Sequence, residues 1–170
     1  GQHDSVGVFP VGEDVSVALP PTSGANRLLH LAERLSTLQA GGGTRLAHCL
    51  ERFGAMNLRR GLLVLITDFF DPAGIDEVVR ALQTVRHKLL LVHLWRATDA
   101  EPNPADFAGD VRLVDAEGAS VLAPSGHLDM FVDDEVRARY RAAFQAFEAS
   151  LHAFATSRQA GYLKLDVETD

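Results

Sequence analysis

Two short stretches of this chain are apolar without interruption, while most of the other apolar residues recur at helical spacing. The first run, Gly61-Leu62-Leu63-Val64-Leu65-Ile66-Thr67, does not alternate with polar residues. Such a run reads as a strand covered on both faces, central in a mostly parallel sheet. The second run is Lys88 to Trp95. Between them Ile75, Val78, Val79, Leu82 and Val85 predict a helix from Gly74 to about His87. Strand, helix and strand in that order form a βαβ unit with a right-handed crossover.

The flanking segments extend this reading. Ser5 to Phe9 and Val15 to Leu19 read as an antiparallel hairpin about Gly12-Glu13-Asp14, with Pro20-Pro21 stopping the second strand. Leu28, Leu31, Leu35 and Leu38 predict a helix ended by Gly41-Gly42-Gly43. Thr44 is placed to cap the next helix, from about Arg45 to Phe53, whose apolar face holds Leu46, Cys49, Leu50 and Phe53. Ala97 to Asp110 reads as a loop, and Val111 to Val114 with Ser120 to Leu122 as a second hairpin about Ala116-Glu117-Gly118. From Asp133 to about Arg158, Val136, Tyr140, Phe144, Phe147, Leu151 and Phe154 form the core-facing stripe of a long helix. Gly161 ends it before a last strand, Tyr162 to Val167. The fold class is α/β: a mostly parallel, Rossmann-like sheet with helices on both faces and the N-terminal hairpin at its antiparallel edge.

Composition narrows the function classes. The 170 residues are 46% hydrophobic, within the range of globular domains, and their number favours one domain over residues 1–170. Sixteen Lys and Arg against 23 Asp and Glu give a net charge of −7, with no basic cluster dense enough to grip nucleic acid. One cysteine, Cys49, excludes an intrachain disulfide and a multi-cysteine zinc cage, and suits a reducing compartment. No apolar run approaches the roughly 18 residues of a transmembrane helix, and Gly1-Gln2-His3-Asp4 does not open a signal peptide.

In an open parallel sheet ligands gather beyond the carboxyl ends of the strands. Two segments are expected there: Gly41-Gly42-Gly43-Thr44, which opens a helix, and Thr67-Asp68-Phe69-Phe70-Asp71, which closes the first buried strand. The Thr44 hydroxyl and the Asp68 carboxylate are hard oxygen ligands suited to Mg2+ or a similar divalent cation. The alternative is structural, with Thr44 capping its helix and Asp68 capping the following one. The glycines lack the Lys of a phosphate loop, because Gly43 precedes Thr44. An aspartyl phosphotransferase usually carries a second Asp two residues on, where this chain has Phe70. His48 and Cys49 are neighbours on a helix and diverge by about 100°, so they form no nucleophile and base pair. His93, within an apolar strand, reads as a satisfied core residue, and the other histidines share no metal-ligand spacing.

The segments Asp4-Ser5-Val6-Gly7-Val8-Phe9, Gly42-Gly43-Thr44-Arg45-Leu46, Leu63 to Pro72 and Val136 to Phe144 together resemble a von Willebrand factor A-like domain of the bacterial group called domain of unknown function 58. The resemblance implies a six-stranded, mostly parallel sheet between two layers of helices. It also implies a metal ion-dependent adhesion site at the carboxyl edge, with Thr44 and Asp68 as metal ligands. Gly43, Phe69, Phe70 and Asp71 are then the expected partner-binding positions. The family's Asp-x-Ser-x-Ser motif does not occur in the chain. The resemblance therefore implies an N-terminally truncated domain lacking the first strand, with an incomplete ligand set and no tightly held cation. The slot left by that strand is expected to close by direct pairing of Ser5–Phe9 with Leu62–Thr67, or by a strand of a second copy in a homodimer. The implied function is a non-enzymatic protein-interaction domain working with a MoxR-type AAA+ ATPase in assembly or chaperone roles. The implied setting is the cytoplasm, in a longer protein that is often membrane-anchored. The competing reading is an α/β hydrolase or phosphotransferase using Asp68.

Overall fold

A computed structural model describes residues 4–24, 27–39, 41–103, 107–114 and 127–168. It is a mixed α/β structure centred on a three-stranded parallel sheet of β3 (Leu62–Thr67), β4 (Lys88–Trp95) and β7 (Gly161–Asp166), with β4 in the middle. The pairing runs from Leu62 opposite Lys88 to Thr67 opposite His93, and from Leu90 opposite Gly161 to Trp95 opposite Asp166. Helix α3 (Ile75–Thr84) connects β3 to β4 and helix α5 (Asp134–Arg158) precedes β7. With α2 (Leu46–Ala55) they enclose one core of Leu46, Leu50, Leu65, Phe69, Val78, Leu82, Leu89, Leu91, Leu151 and Phe154.

The expected central strand lies at an edge. Among the described residues β3 pairs with β4 alone, and its residues alternate: Leu65 is buried, whereas Leu62, Val64 and Ile66 are 62%, 44% and 59% exposed. The unbroken apolar run identified the strand correctly but not its cover. Side chains at alternate positions point to opposite faces, and α2, α3 and α5 all pack on the face that carries Leu65, Leu89 and Leu91.

The N-terminal hairpin forms with a shifted second strand. β1 (Val6–Val8) pairs antiparallel with β2 (Leu19–Thr22), placing Val6 opposite Thr22 and Val8 opposite Leu19. Pro20 and Pro21 thus lie within the strand they were expected to stop. An edge strand tolerates proline because its outward N–H has no partner to lose. The hairpin is a separate sheet, so the expected direct pairing of Ser5–Phe9 with Leu62–Thr67 does not occur, and no described strand lies between them.

Other boundaries moved for local reasons. Helix α1 (Arg27–Ser36) stops before Leu38, where the Ser36 and Thr37 hydroxyls donate to the carbonyls of Glu33 and Arg34. A short helix α4 (Ala97–Ala100) occupies the start of the expected loop. In the second hairpin β5 (Gly109–Val114) pairs with β6 (His127–Val132). The expected partner Ser120–Leu122 and its turn fall outside the described residues. Asp133 caps α5, its carboxylate accepting from the Val136 N–H at 2.8 Å. The helix ends at Gln159 in the left-handed conformation, and Gly161 opens β7 instead.

Candidate functional site

The carboxyl end of β3 carries a tight, locally bonded loop. Phe70 N–H donates to the Asp68 carboxylate at 3.0 Å and Phe69 N–H to the Thr67 hydroxyl at 3.2 Å. Between them Phe69 takes a positive φ of 63°, costly for a bulky residue, yet its side chain is wholly buried. Its ring meets His93 edge to face at 5.6 Å, and Phe70 stacks on Phe147 at 5.1 Å. Burial of the Phe69 ring holds a backbone turn that the residue would otherwise avoid, and so fixes where Asp68 sits.

Asp71 joins this loop to the glycine-rich one. One of its carboxylate oxygens accepts from Ala47 N–H at 3.0 Å, at the start of α2, and the other from Ala73 N–H at 2.8 Å. The N-cap position of α2 is Arg45, which makes no side-chain cap bond, so an acid 24 positions away takes a free N–H of the first turn. The sequence offers Thr44 as the cap of this helix, but the cap position belongs to its neighbour Arg45. Asp68 caps no helix either: α3 has Gly74 at its N-cap, and the Asp68 contacts are local to its own turn. A third segment closes the group, with Gly12 C=O accepting from Arg45 N–H at 2.9 Å and from the Cys49 thiol at 3.3 Å. Burial pushes the Cys49 thiol pKa up, which keeps the sulfur protonated and unreactive.

The structure therefore brings the Gly43–Thr44 and Asp68–Asp71 loops to one end of β3, and it divides the expected contact residues. Phe70 is 47% exposed and Asp68 is exposed. Gly43 and Phe69, also expected to meet a partner, are buried. Asp71 is half-buried and its carboxylate is committed to two backbone N–H groups. Thr44 is half-buried, and the exposed Asp68 carboxylate accepts from Phe70 N–H and the Thr67 hydroxyl within its own loop. Among the described residues no group of three or more His, Cys, Asp or Glu is placed to hold a metal ion. A cation held by one hydroxyl and one carboxylate would keep most of its water, so these residues alone do not make a closed site.

Behind the loop lies a polar cluster that the sequence only half disclosed. His93, 1% exposed, meets the Tyr162 hydroxyl at 2.7 Å through Nδ1. This matches its reading as a satisfied core histidine, although nothing in the sequence named its partner. Burial, with the Lys164 ammonium nearby, pushes the His93 pKa down and favours the neutral ring. Burial and the Glu148 carboxylate push the Tyr162 pKa up to about 12. Lys164 pairs with Glu148 and lies 3.4 Å from the centre of the Trp95 ring.

No helix among the described residues is long and apolar enough to cross a membrane. No curated protein sequence matches the chain. Among solved structures it is similar to an aerotolerance-related membrane protein from Bacteroides fragilis, at 12% identity and a TM-score of 0.47, over 98% of this chain and 74% of that one. It is also similar to an uncharacterized membrane spanning protein from Vibrio fischeri, at 16% identity and a TM-score of 0.26, over 97% of this chain and 70% of that one. The family described as Protein of unknown function DUF58 matches residues 1–150, and the chain belongs to it.

Proposed function

We propose that the chain is a non-enzymatic protein-interaction domain of von Willebrand factor A type. Its docking surface is the carboxyl end of β3, where Thr44, Asp68 and Phe70 face a partner. The observation that carries this reading is the Asp71 bridge from the Asp68–Asp71 loop to the first turn of α2, which fixes two loops far apart in sequence as one surface. A rigid surface of a hydroxyl, a carboxylate and an exposed aromatic ring suits recognition, since ordering it costs little on binding. Among the described residues neither the Cys49 thiol, which is buried, nor the His93 ring, which is enclosed and paired with Tyr162, faces it as a nucleophile or base. Mg2+ or a similar cation contributes at most a weakly held bridge between this surface and an acidic group of the partner.

The partner proposed from the family resemblance is a MoxR-type AAA+ ATPase. Surface-immobilised ATPase is expected to retain the chain, and Asp68→Ala and Phe70→Ala are each expected to weaken retention about tenfold or more, as central interface residues do. Unchanged retention by both variants, with circular dichroism confirming their fold, would remove this surface from the interaction. Turnover of a phosphoester or ester substrate that is lost in Asp68→Asn would replace the reading with an enzymatic one.

A further inference from the structure

The chain between β1 and β2 crosses one side of helix α2. The Phe9 ring meets the Phe53 ring edge to face at 5.2 Å. The Gly12 carbonyl accepts from Arg45 N–H at 2.9 Å and from the Cys49 thiol at 3.3 Å. The Asp14 carboxylate lies 3.7 Å from His48 Nε2 and 3.5 Å from Arg52 Nε. Residues 45, 48, 49, 52 and 53 follow helical spacing, so all these contacts fall on one stripe of α2 and its N-cap. The same segment backs the glycine-rich loop, since a carbon added to Gly12 would lie 3.9 Å from the Gly43 carbonyl oxygen. The hold is nevertheless light. Asp14 and Arg52 are exposed, and exposed ion pairs contribute little to stability. Val11 and Glu13 are exposed as well, while Cys49 and Phe53 beneath the segment are buried. Segments with few buried contacts open at a lower free energy than the core they cover.

We propose that Phe9–Asp14 is a strap that opens without unfolding the core, and that its opening releases the Gly43–Thr44 loop and uncovers Cys49. Opening breaks both bonds of the Gly12 carbonyl together and frees the Arg45 N–H, directly after Thr44. The Asp71 bridge to Ala47 N–H remains, so the loop is then fixed from one side only. The strap in this way gates the surface of Thr44, Asp68 and Phe70. The gating rests on the docking function proposed above, whereas the opening does not and is measured without a partner.

The chain's one cysteine reports the opening. Labelling of Cys49 with dithiobis-nitrobenzoate at low urea is expected to proceed at a rate that changes little with urea, because a local opening exposes little surface. Phe9→Ala is expected to raise that rate about tenfold or more, through loss of the ring contact with Phe53. Asp14→Ala, at an exposed position, is expected to raise it by about fivefold or less. Amide hydrogen exchange at Arg45 should rise by the same factor as the labelling, since one carbonyl guards both groups. Leu91→Ala weakens the core alone and should leave the low-urea rate unchanged. Labelling that follows the urea dependence of global unfolding overturns the proposal. So does a native rate in Phe9→Ala that circular dichroism shows to be folded, or a Leu91→Ala rate raised as much as that of Phe9→Ala. Faster labelling of Phe9→Ala with undiminished retention on the ATPase would refute the gating and leave the opening. A native chain that the ATPase does not retain would remove the docking function, and the gating with it, while the labelling rates still decide whether the strap opens.

Discussion

On one face of the β3–β4–β7 sheet Leu65, Leu89 and Leu91 lie buried under α2, α3 and α5; on the other, Leu62, Val64 and Ile66 of the same edge strand stay exposed. The side chains are of one kind, so hydrophobicity does not separate the faces. Connection does. The chain steps from β3 to β4 and from β4 to β7 in one direction across the sheet, and successive right-handed crossovers in one direction lay their helices on one face. An apolar strand therefore records that cover is needed, while the order of strands decides which face these helices supply.

The contrast is most easily broken at the centre of the covered face. Leu91→Ala removes a side chain with no exposed surface and is expected to cost about 2–5 kcal/mol, read from the midpoint of urea unfolding. A loss below about 1 kcal/mol there would mean that the helices do not close over β4. Next in size is the link between the covered core and the loops. Asp71→Ala frees the N–H groups of Ala47 and Ala73 and is expected to cost about 1–2 kcal/mol, with Asp71→Asn recovering part of it.

A pH dependence sharpens the same contrast, because His93 is the histidine enclosed on the covered face. Its folded pKa is lowered, so the unfolded chain binds the proton more readily than the folded one. Stability from this group is then fully present above the ordinary histidine value of about 6.5 and declines as pH falls through it toward the folded value. Urea midpoints of the native chain should rise with pH across that window, and His93→Leu should lack this component of the slope. An identical slope in both chains would assign the pH dependence to other groups. The smallest effect belongs to the exposed row of β3, where Ile66→Ala is expected to cost under about 1 kcal/mol, since much of the side chain is already in water. A cost equal to that of Leu91→Ala would show that something covers this row.

The elements defined by long periodic patterns were legible in the sequence. The stripe from Val136 to Phe154 gave α5 to within a residue at its start, and the two apolar runs gave β3 and β4. Features set by distant contacts were not legible. Pro20 and Pro21 read as a stop, but β2 takes them into an edge where no N–H is needed. Gly161 read as a helix end, yet Gln159 takes the left-handed position two residues earlier. At the candidate site, Thr44 and Asp68 were both visible as oxygen donors beside a strand end. Asp71 looked like a contact residue and is the brace between loops, because its partner Ala47 is an ordinary residue that no side-chain pattern flags. Phe69 looked like a surface aromatic, and its positive φ turns it inward.

The claim that the Gly43–Thr44 and Asp68–Asp71 loops act as one surface is tested most directly by Mg2+ titration followed through backbone amide NMR shifts. The expected result is weak, millimolar-range binding, because so few protein oxygens would hold the ion. Shifts should be confined to residues 43–47 and 67–71, titrate with one common midpoint and vanish in Asp68→Asn. Shifts in only one of the two loops, or a response that survives Asp68→Asn unchanged, would contradict the account.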